Sequence, residues 1–490
     1  MTVQKQGTLL FCVLMFCYAY VHQGLGANQN SRLDVLHALF VKKTVRIDDY
    51  QENTVDKSIF DGHYYSDKAP GIVFLALPSF SGSVAILKLF QIPLDSGAGW
   101  LASSWITTVG SVGLITALGG VAMFAFLSRL VGQRYALITS LVVFLGAAPF
   151  PYATMLFSHA AVMSLICIAL WAMADEEFWK RIAPGLPNSD GSSRREEAQT
   201  SSANKSEPPH VGCYDIWTKR YLFAGLCCGL AISSEYTAAT AAGGVLALAF
   251  LTSFRHGLVL ALGAVPALLL IPLWNWACFG SPLAFGYHHL AEAQFQEMNH
   301  GLFGISFPPK ADAAWLILFS PERGLFFWTP LFLMAYFGLT CLLTLAPKLL
   351  WIVYSVVFLH VLCISGYYMP SGGWALGPRH LAPMLPFLTI PTAFGLSRHN
   401  RLGITLGYCS LVATALATLI NGMTPDYMSN PLLNYYFPRA LKGSFTYNLA
   451  SRLGIPAYLS ASVMLLVTFG AFFWAVVYNQ RIKSAEDSVG

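Results

Sequence analysis

The sequence predicts an all-α polytopic membrane protein of about twelve transmembrane helices, and three observations carry that prediction. Hydrophobic residues make up 55% of the 490 positions and charged residues only 11%, less than half the charged share of a soluble domain. Apolar stretches long enough to cross ~30 Å of hydrocarbon recur along the chain. Lysine and arginine collect in alternate connections, as the cytoplasmic loops of a multi-pass protein require.

Taken in order, the spans fall near 8–23, 100–128, 135–151, 157–175, 220–235, 237–253, 257–277, 324–345, 349–367, 380–397, 402–421 and 456–478. The 220–253 region is too long for one comfortable helix and carries Ser233, Ser234 and Glu235 at its centre. It is read as two short helices meeting near Glu235. Segment 70–92 is also apolar, but Pro70, Gly71, Pro78, Gly82 and Lys88 make it a poor span. A helix at the interface, or one that dips in and returns, suits it better.

Orientation follows from the basic residues. Arg129, Arg134, Lys180, Arg181, Arg194, Arg195, Lys205, Lys219, Arg220, Arg255, Lys348, Arg398, Arg401, Arg481 and Lys483 share one side if both termini are cytoplasmic. Residues 1–26 resemble a signal peptide in their basic start and Gly24-Leu-Gly-Ala27 end, yet an even span count favours a retained first helix. The chain then divides into a first span (1–23), an exterior catalytic-type loop with interfacial helices (24–99) and spans in 100–175. A flexible cytoplasmic loop (176–219), spans in 220–277 and an exterior loop (278–323) follow. Residues 324–478 hold the remaining spans with exterior loops at 368–379 and 422–455, and 479–490 form a cytoplasmic tail. The net charge of +5 is spread without a basic stripe, which excludes nucleic-acid binding. Most of the ten cysteines lie in apolar runs without metal-type spacing and read as packing residues.

The exterior side holds the unusual polar residues. Its first loop carries Asp34, Asp48, Asp49, Asp56, Asp61 and Asp67 beside Lys57, His63 and Lys68. Leu33–Val41 has helical apolar spacing, so a short interfacial helix followed by turns is expected. Arg323, next to Glu322, and Arg379, next to His380, stand at helix entrances among Gly and Pro turns. Charge there is costly without a partner or a watered cavity. The 278–312 loop adds His288, His289, Glu292, Glu297 and His300. Guanidinium groups suit phosphate because they bind it bidentately and stay charged. Carboxylates opposite such cations suit glycosyl transfer from a lipid-linked phosphate sugar: one carboxylate takes the acceptor's proton and the cations stabilise the departing phosphate. A single base suffices for inversion, unlike the two carboxylates of glycosidases.

The order of these features resembles the GT-C superfamily of membrane glycosyltransferases, in particular the branch of protein O-mannosyltransferases and lipid A aminoarabinose transferases. Ser31-Arg-Leu-Asp34 is similar to the acidic motif that opens that branch's first exterior loop, and Tyr65-Ser-Asp-Lys-Ala-Pro70 to the motif that closes it. Ala224–Tyr236 looks like its middle helix pair and Gly377-Pro-Arg-His380 like a later segment. The resemblance implies a polyprenyl-phosphate sugar donor, a glycan, lipid or protein acceptor, and a bacterial plasma membrane with the active face outward. It implies that Lys68, Arg323 and Arg379 face the donor phosphate, with His63 and His380 as polar neighbours and Glu322 orienting Arg323; Tyr65, Asp67 and Lys57 support them. The family's Asp-Glu pair is Asp34-Val35 here, so the base stays open among Asp34, Asp48, Asp49 and Asp56. Asp48 and Asp49 are favoured, because paired charges suit a base or a divalent metal contact. No other cofactor is implied. A secondary transporter with Glu235 as a coupling carboxylate is the alternative, and a lipid-linked glycan polymerase or ligase would share the same side and donor class.

Overall fold

The structure, a computed structural model, describes residues 2–23, 26–186 and 211–487. It is helical almost throughout, and each expected span contains a helix. Helix α1 (Val3–Tyr20) is followed by α2 (Ala27–His37), which continues through a wider turn to Lys42. A hairpin comes next, β1 (Lys57–Phe60) and β2 (His63–Ser66), then α3 (Gly71–Leu89) and the long α4 (Gly97–Val131). Helices α5 (Gln133–Leu145), α6 (Ser158–Met173) and α7 (Glu176–Ile182) precede α8 (Val211–Ser234), α9 (Ala239–Thr252) and α10 (Phe254–Phe279). The rest comprises α11 (Ala311–Leu318), α12 (Ala335–Leu345), α13 (Pro347–Ser365), α14 (Leu385–Arg398), α15 (Asn400–Ile420) and α16 (Ala457–Asp487).

Among the described residues, six helices are long and apolar enough to cross a membrane: α3, α4, α10, α13, α15 and α16 in its Ala457–Val477 part. The bent pair α6–α7, with 97° between its axes, would make a seventh. Three shorter apolar helical stretches, Gln133–Leu145, Tyr236–Thr252 and Pro330–Leu345, also fall in expected spans, the last beginning with the 3₁₀ turn Pro330–Met334. Helix α4 has 35 residues, about 52 Å at helical rise and longer than the hydrocarbon is thick.

Three local results differ from the sequence reading. Residues 70–92 hold one continuous helix, α3, despite Pro78 in its interior. It meets the length and hydropathy of a span. Its first turn abuts the end of α8, where a Cβ on Gly71 would collide with Ser233 and Ser234. The start of the 176–219 loop is ordered: Asp175 caps α7 by accepting from the Phe178 amide at 2.7 Å, and Phe178, Trp179 and Ile182 are buried. The Asp190–Ser202 tract and the Asn204–Ser206 sequon lie outside the described residues. Finally, part of the first exterior loop is a β-hairpin rather than turns alone. Asp61 and Gly62 both take positive φ (51° and 75°), the geometry of a tight two-residue hairpin turn.

Helices pack closely where small residues permit it. A Cβ on Gly225 of α8 would run into the Leu260 carbonyl, and one on Gly263 of α10 into that of Leu222. Each backbone therefore lies against the other, the way apolar helices gain contact in lipid. The break between α8 and α9 falls at Glu235, whose backbone is extended (φ −155°, ψ 111°) before the 3₁₀ turn Tyr236–Ala238.

Candidate functional site

The hairpin brings the first charged groups together. Its register pairs Lys57 with Ser66 and Phe60 with His63, so Asp56, just before β1, faces Asp67, just after β2. Lys68 then lies between the two carboxylates, with Nζ 3.2 Å from Asp56 Oδ2 and 3.1 Å from Asp67 Oδ2. The Asp67 side chain is 1% exposed and that of Asp56 13%. Burial raises the Asp67 carboxyl above its ordinary value, against the pull of Lys68 and Arg32 and with Asp56 adding to it. The Ser31 hydroxyl donates to the Asp56 carbonyl at 2.6 Å and meets the Ser66 hydroxyl at 2.7 Å, which ties α2 to the hairpin.

That tie fixes the next residue. Arg32 is 3% exposed, bonds back to the Asn28 carbonyl at 2.9 Å and to the Asn28 side chain, and leaves Nε without a partner. Burial lowers its pKa, while Glu235, Asp56 and Asp67 hold the charge on it. Arg32 stands inside the Ser31–Asp34 motif, where the sequence directs attention to the carboxylate instead.

The other wall comes from three helix ends. At the start of α6 the Ser158 hydroxyl donates to Glu235 Oε2 at 2.6 Å, and His159 Nδ1 lies 3.4 Å from the same oxygen. The His159 ring stands edge-on to His380, centroids 5.5 Å apart, and His380 likewise to Tyr367 at 5.3 Å. The His380 carbonyl accepts from His360 Nε2 at 2.8 Å, and His360 Nδ1 meets the Thr240 hydroxyl at 2.6 Å. Arg379 lies over the Phe157 ring at 5.5 Å, with its buried Nε unpaired. The two walls meet where Gly286, beside Tyr287, lies against the Asp67 backbone and where Gly71 abuts Ser233 and Ser234. Tyr236, Phe285, Tyr287 and Phe303 form an aromatic flank beside Glu235, with centroids 4.8–6.0 Å apart. The site thus holds three cations (Arg32, Lys68, Arg379), three carboxylates (Asp56, Asp67, Glu235) and two imidazoles.

Of the residues singled out in the sequence, Asp56, Asp67, Lys68, Arg379 and His380 meet in this cluster. Others have different work. Asp48 is held by His63 Nδ1 at 2.8 Å and the Tyr64 amide at 2.7 Å, and Asp49 pairs with Lys42 at 2.9 Å. Both carboxylates are well exposed and neither partner belongs to the cluster. Asp34 is fully buried, accepts from Asn53 Nδ2 at 3.0 Å, and has its carboxyl pushed up to about 8 by that burial. Lys57 Nζ is used by the Gln51 carbonyl (2.8 Å) and side chain (2.6 Å). Tyr65 packs on Phe279 at 5.5 Å.

Arg323 is the clearest departure from the expected arrangement. Its side chain is enclosed and all three nitrogens donate to backbone carbonyls: Nε to Ser371 (3.2 Å), Nη1 to Glu322 (3.1 Å), and Nη2 to Gly373 (3.0 Å), Thr424 (3.5 Å) and Pro425 (3.4 Å). Glu322 meets Arg323 through its backbone carbonyl. A guanidinium filled this way binds loops together rather than a ligand.

His159, Glu235, Arg32 and the tyrosines complete the site. Glu235 was legible as an acid at a helix break. His159 was hidden as one histidine in an apolar run. One ligand atom each from His159, Glu235 and His380 lies within 4.8 Å of the others.

No family model and no curated protein matches the sequence. Among solved structures, the chain is similar to ArnT from Cupriavidus metallidurans in the apo state, with TM-score 0.49 and 15% identity over 97% of this chain and 75% of that one. The same protein bound to undecaprenyl phosphate gives TM-score 0.44 at 14% identity, covering 97% and 76%. The archaeal oligosaccharyltransferase AglB from Archaeoglobus fulgidus, in complex with an inhibitory peptide and a dolichol-phosphate, gives 0.43 at 11% identity, covering 97% and 55%.

Proposed function

We propose that this chain is a membrane glycosyltransferase. It moves a sugar from a polyprenyl-phosphate donor to a glycan, lipid or protein acceptor, with inversion, at the exterior face of a bacterial plasma membrane. One observation carries the reading: the largely buried Lys68 ammonium is held between the Asp56 and Asp67 carboxylates, beside the Ser31–Asp34 segment. The likeness of Tyr65–Pro70 to the closing motif of the GT-C branch supports it, because that motif supplies Asp67 and Lys68.

The roles follow from exposure and charge. Asp56 is the base: it is the less enclosed of the two carboxylates on Lys68, so a hydroxyl can reach it. Asp67 positions Lys68. Lys68 and Arg379, with Arg32 behind them, take up the charge that develops on the leaving phosphate. A base and a charge-stabilising group of this kind each contribute about 10²- to 10⁴-fold. The aromatic flank at Tyr236 and Tyr287 offers apolar faces to a sugar ring.

Membranes containing the protein are assayed for transfer from radiolabelled polyprenyl-phosphate sugars. Asp56→Asn and Arg379→Ala are expected to lower transfer about a hundredfold or more, whereas Asp48→Asn and Asp49→Asn stay near wild type. Full activity in Asp56→Asn, or loss confined to the Asp48 and Asp49 variants, overturns the assignment. A second reading rests on Glu235 at its helix break. Such an acid can couple transport, and solute uptake abolished by Glu235→Gln without any transfer activity would favour a carrier.

A further inference from the structure

We infer that His159, Glu235 and His380 form a binding site for a divalent transition metal of the zinc class. The three come from separate elements: the first turn of α6, the break between α8 and α9, and the 3₁₀ turn before α14. One ligand atom from each lies within 4.8 Å of the others. Ligand atoms about 2 Å from one four-coordinate metal lie roughly 3.3 Å from each other, so binding needs the side chains to close by up to roughly 1.5 Å.

The second observation is an unspent ligand atom. His159 is 3% exposed, and its Nδ1 lies 3.4 Å from Glu235 Oε2 without the alignment of a hydrogen bond. An imidazole nitrogen enclosed this way is costly unless something takes its lone pair or its proton. A metal between His159, Glu235 and His380 would take it.

The surroundings have the form of an outer shell. The Ser158 hydroxyl fixes the Glu235 carboxylate at 2.6 Å. His360, itself held by Thr240, fixes the His380 backbone at 2.8 Å. Such contacts orient ligands and are a regular part of metal sites. Two imidazoles and one carboxylate select zinc, cobalt or nickel over magnesium or calcium, which ask for oxygen. Three protein ligands also leave a coordination position open. Arg32, Lys68 and Arg379 nearby balance the three carboxylates, so a bound metal would leave the site with excess positive charge, fitted to an anion. The metal site does not depend on glycosyl transfer and is measured without any substrate.

The test uses the full-length protein purified in detergent, stripped with chelator, reloaded with zinc or cobalt and desalted. Elemental analysis is expected to find about one equivalent of zinc in wild type and in Asp48→Asn, and at least tenfold less in His159→Ala and His380→Ala. Cobalt-loaded wild type should give the intense visible absorption of a four- or five-coordinate site with nitrogen ligands. That spectrum requires no substitution, so a variant that fails to fold does not obscure the result. No stoichiometric zinc in wild type, unchanged zinc in both histidine variants, or the weak spectrum of six-coordinate cobalt in oxygen ligands would each overturn the site.

Discussion

Arg323 and Asp34 illustrate how a residue's surroundings, rather than its type, assign its work. Both are acid–base or charged groups next to Gly-, Pro- or Asp-containing motifs, and both turn out to be enclosed. Arg323 fans its nitrogens across the Ser371, Gly373, Thr424 and Pro425 carbonyls, joining two connections that are far apart in sequence. Lysine cannot reproduce that planar fan. Arg323→Lys is expected to destabilise the fold by about 3 kcal/mol, read as a lower melting temperature in detergent. A variant that melts like wild type but transfers poorly would instead return Arg323 to the donor. Asp34 carries a pH dependence of definite sign. Its folded carboxyl stays protonated to about 8 against an ordinary 3.8. The unfolded carboxyl ionises first as pH rises, so the folded form loses stability through that window and regains it on acidification. Asp34→Asn escapes the loss. It should melt above wild type near pH 9, with the gap closing toward about pH 4; a gap that does not change with pH would remove burial as the cause.

At the level of elements, two devices organise the molecule. The hairpin converts a spacing of eleven in sequence, Asp56 to Asp67, into two facing carboxylates through its Asp61-Gly62 turn. That turn was visible in the sequence as Asp-Gly between β-prone runs, but four-residue strands inside a charged loop give little alternation to read. The α8–α10 contact is the other device, because Gly225 and Gly263 let two backbones touch. Gly263→Ala must push the helices apart or strain the Leu222 carbonyl, at about 1–3 kcal/mol. Gly243 on α9 has nothing within 4 Å of a would-be Cβ, so Gly243→Ala should be neutral or slightly stabilising. Thermal unfolding of the pair checks this; equal midpoints would mean that close approach is not what holds α8 to α10.

Across the whole molecule, the site is built from short pieces of α2, the hairpin ends, α6, the α8–α9 break and the turn before α14. Composition and apolar run length are local sums, so the sequence alone determined that the chain is helical, apolar and many times long enough to cross a membrane. It also singled out Asp67, Lys68 and His380 through motif resemblance, and Arg379 as a charge at a helix entrance, where charge is costly without a partner. Which carboxylate joins them was not a local property. Asp48 and Asp49 looked stronger as a pair, yet the fold sets them beside His63 and Lys42, while the hairpin register brings Asp56 to Lys68. Segment 70–92, where the sequence is ambiguous, begins beside the site, with Gly71 against Ser233 and Ser234. His159 and Glu235 meet although 76 residues separate them. Only the tertiary structure could decide these matters, because an ionisable group's role depends on what burial and its neighbours leave for it to bind, and those neighbours come from distant parts of the chain.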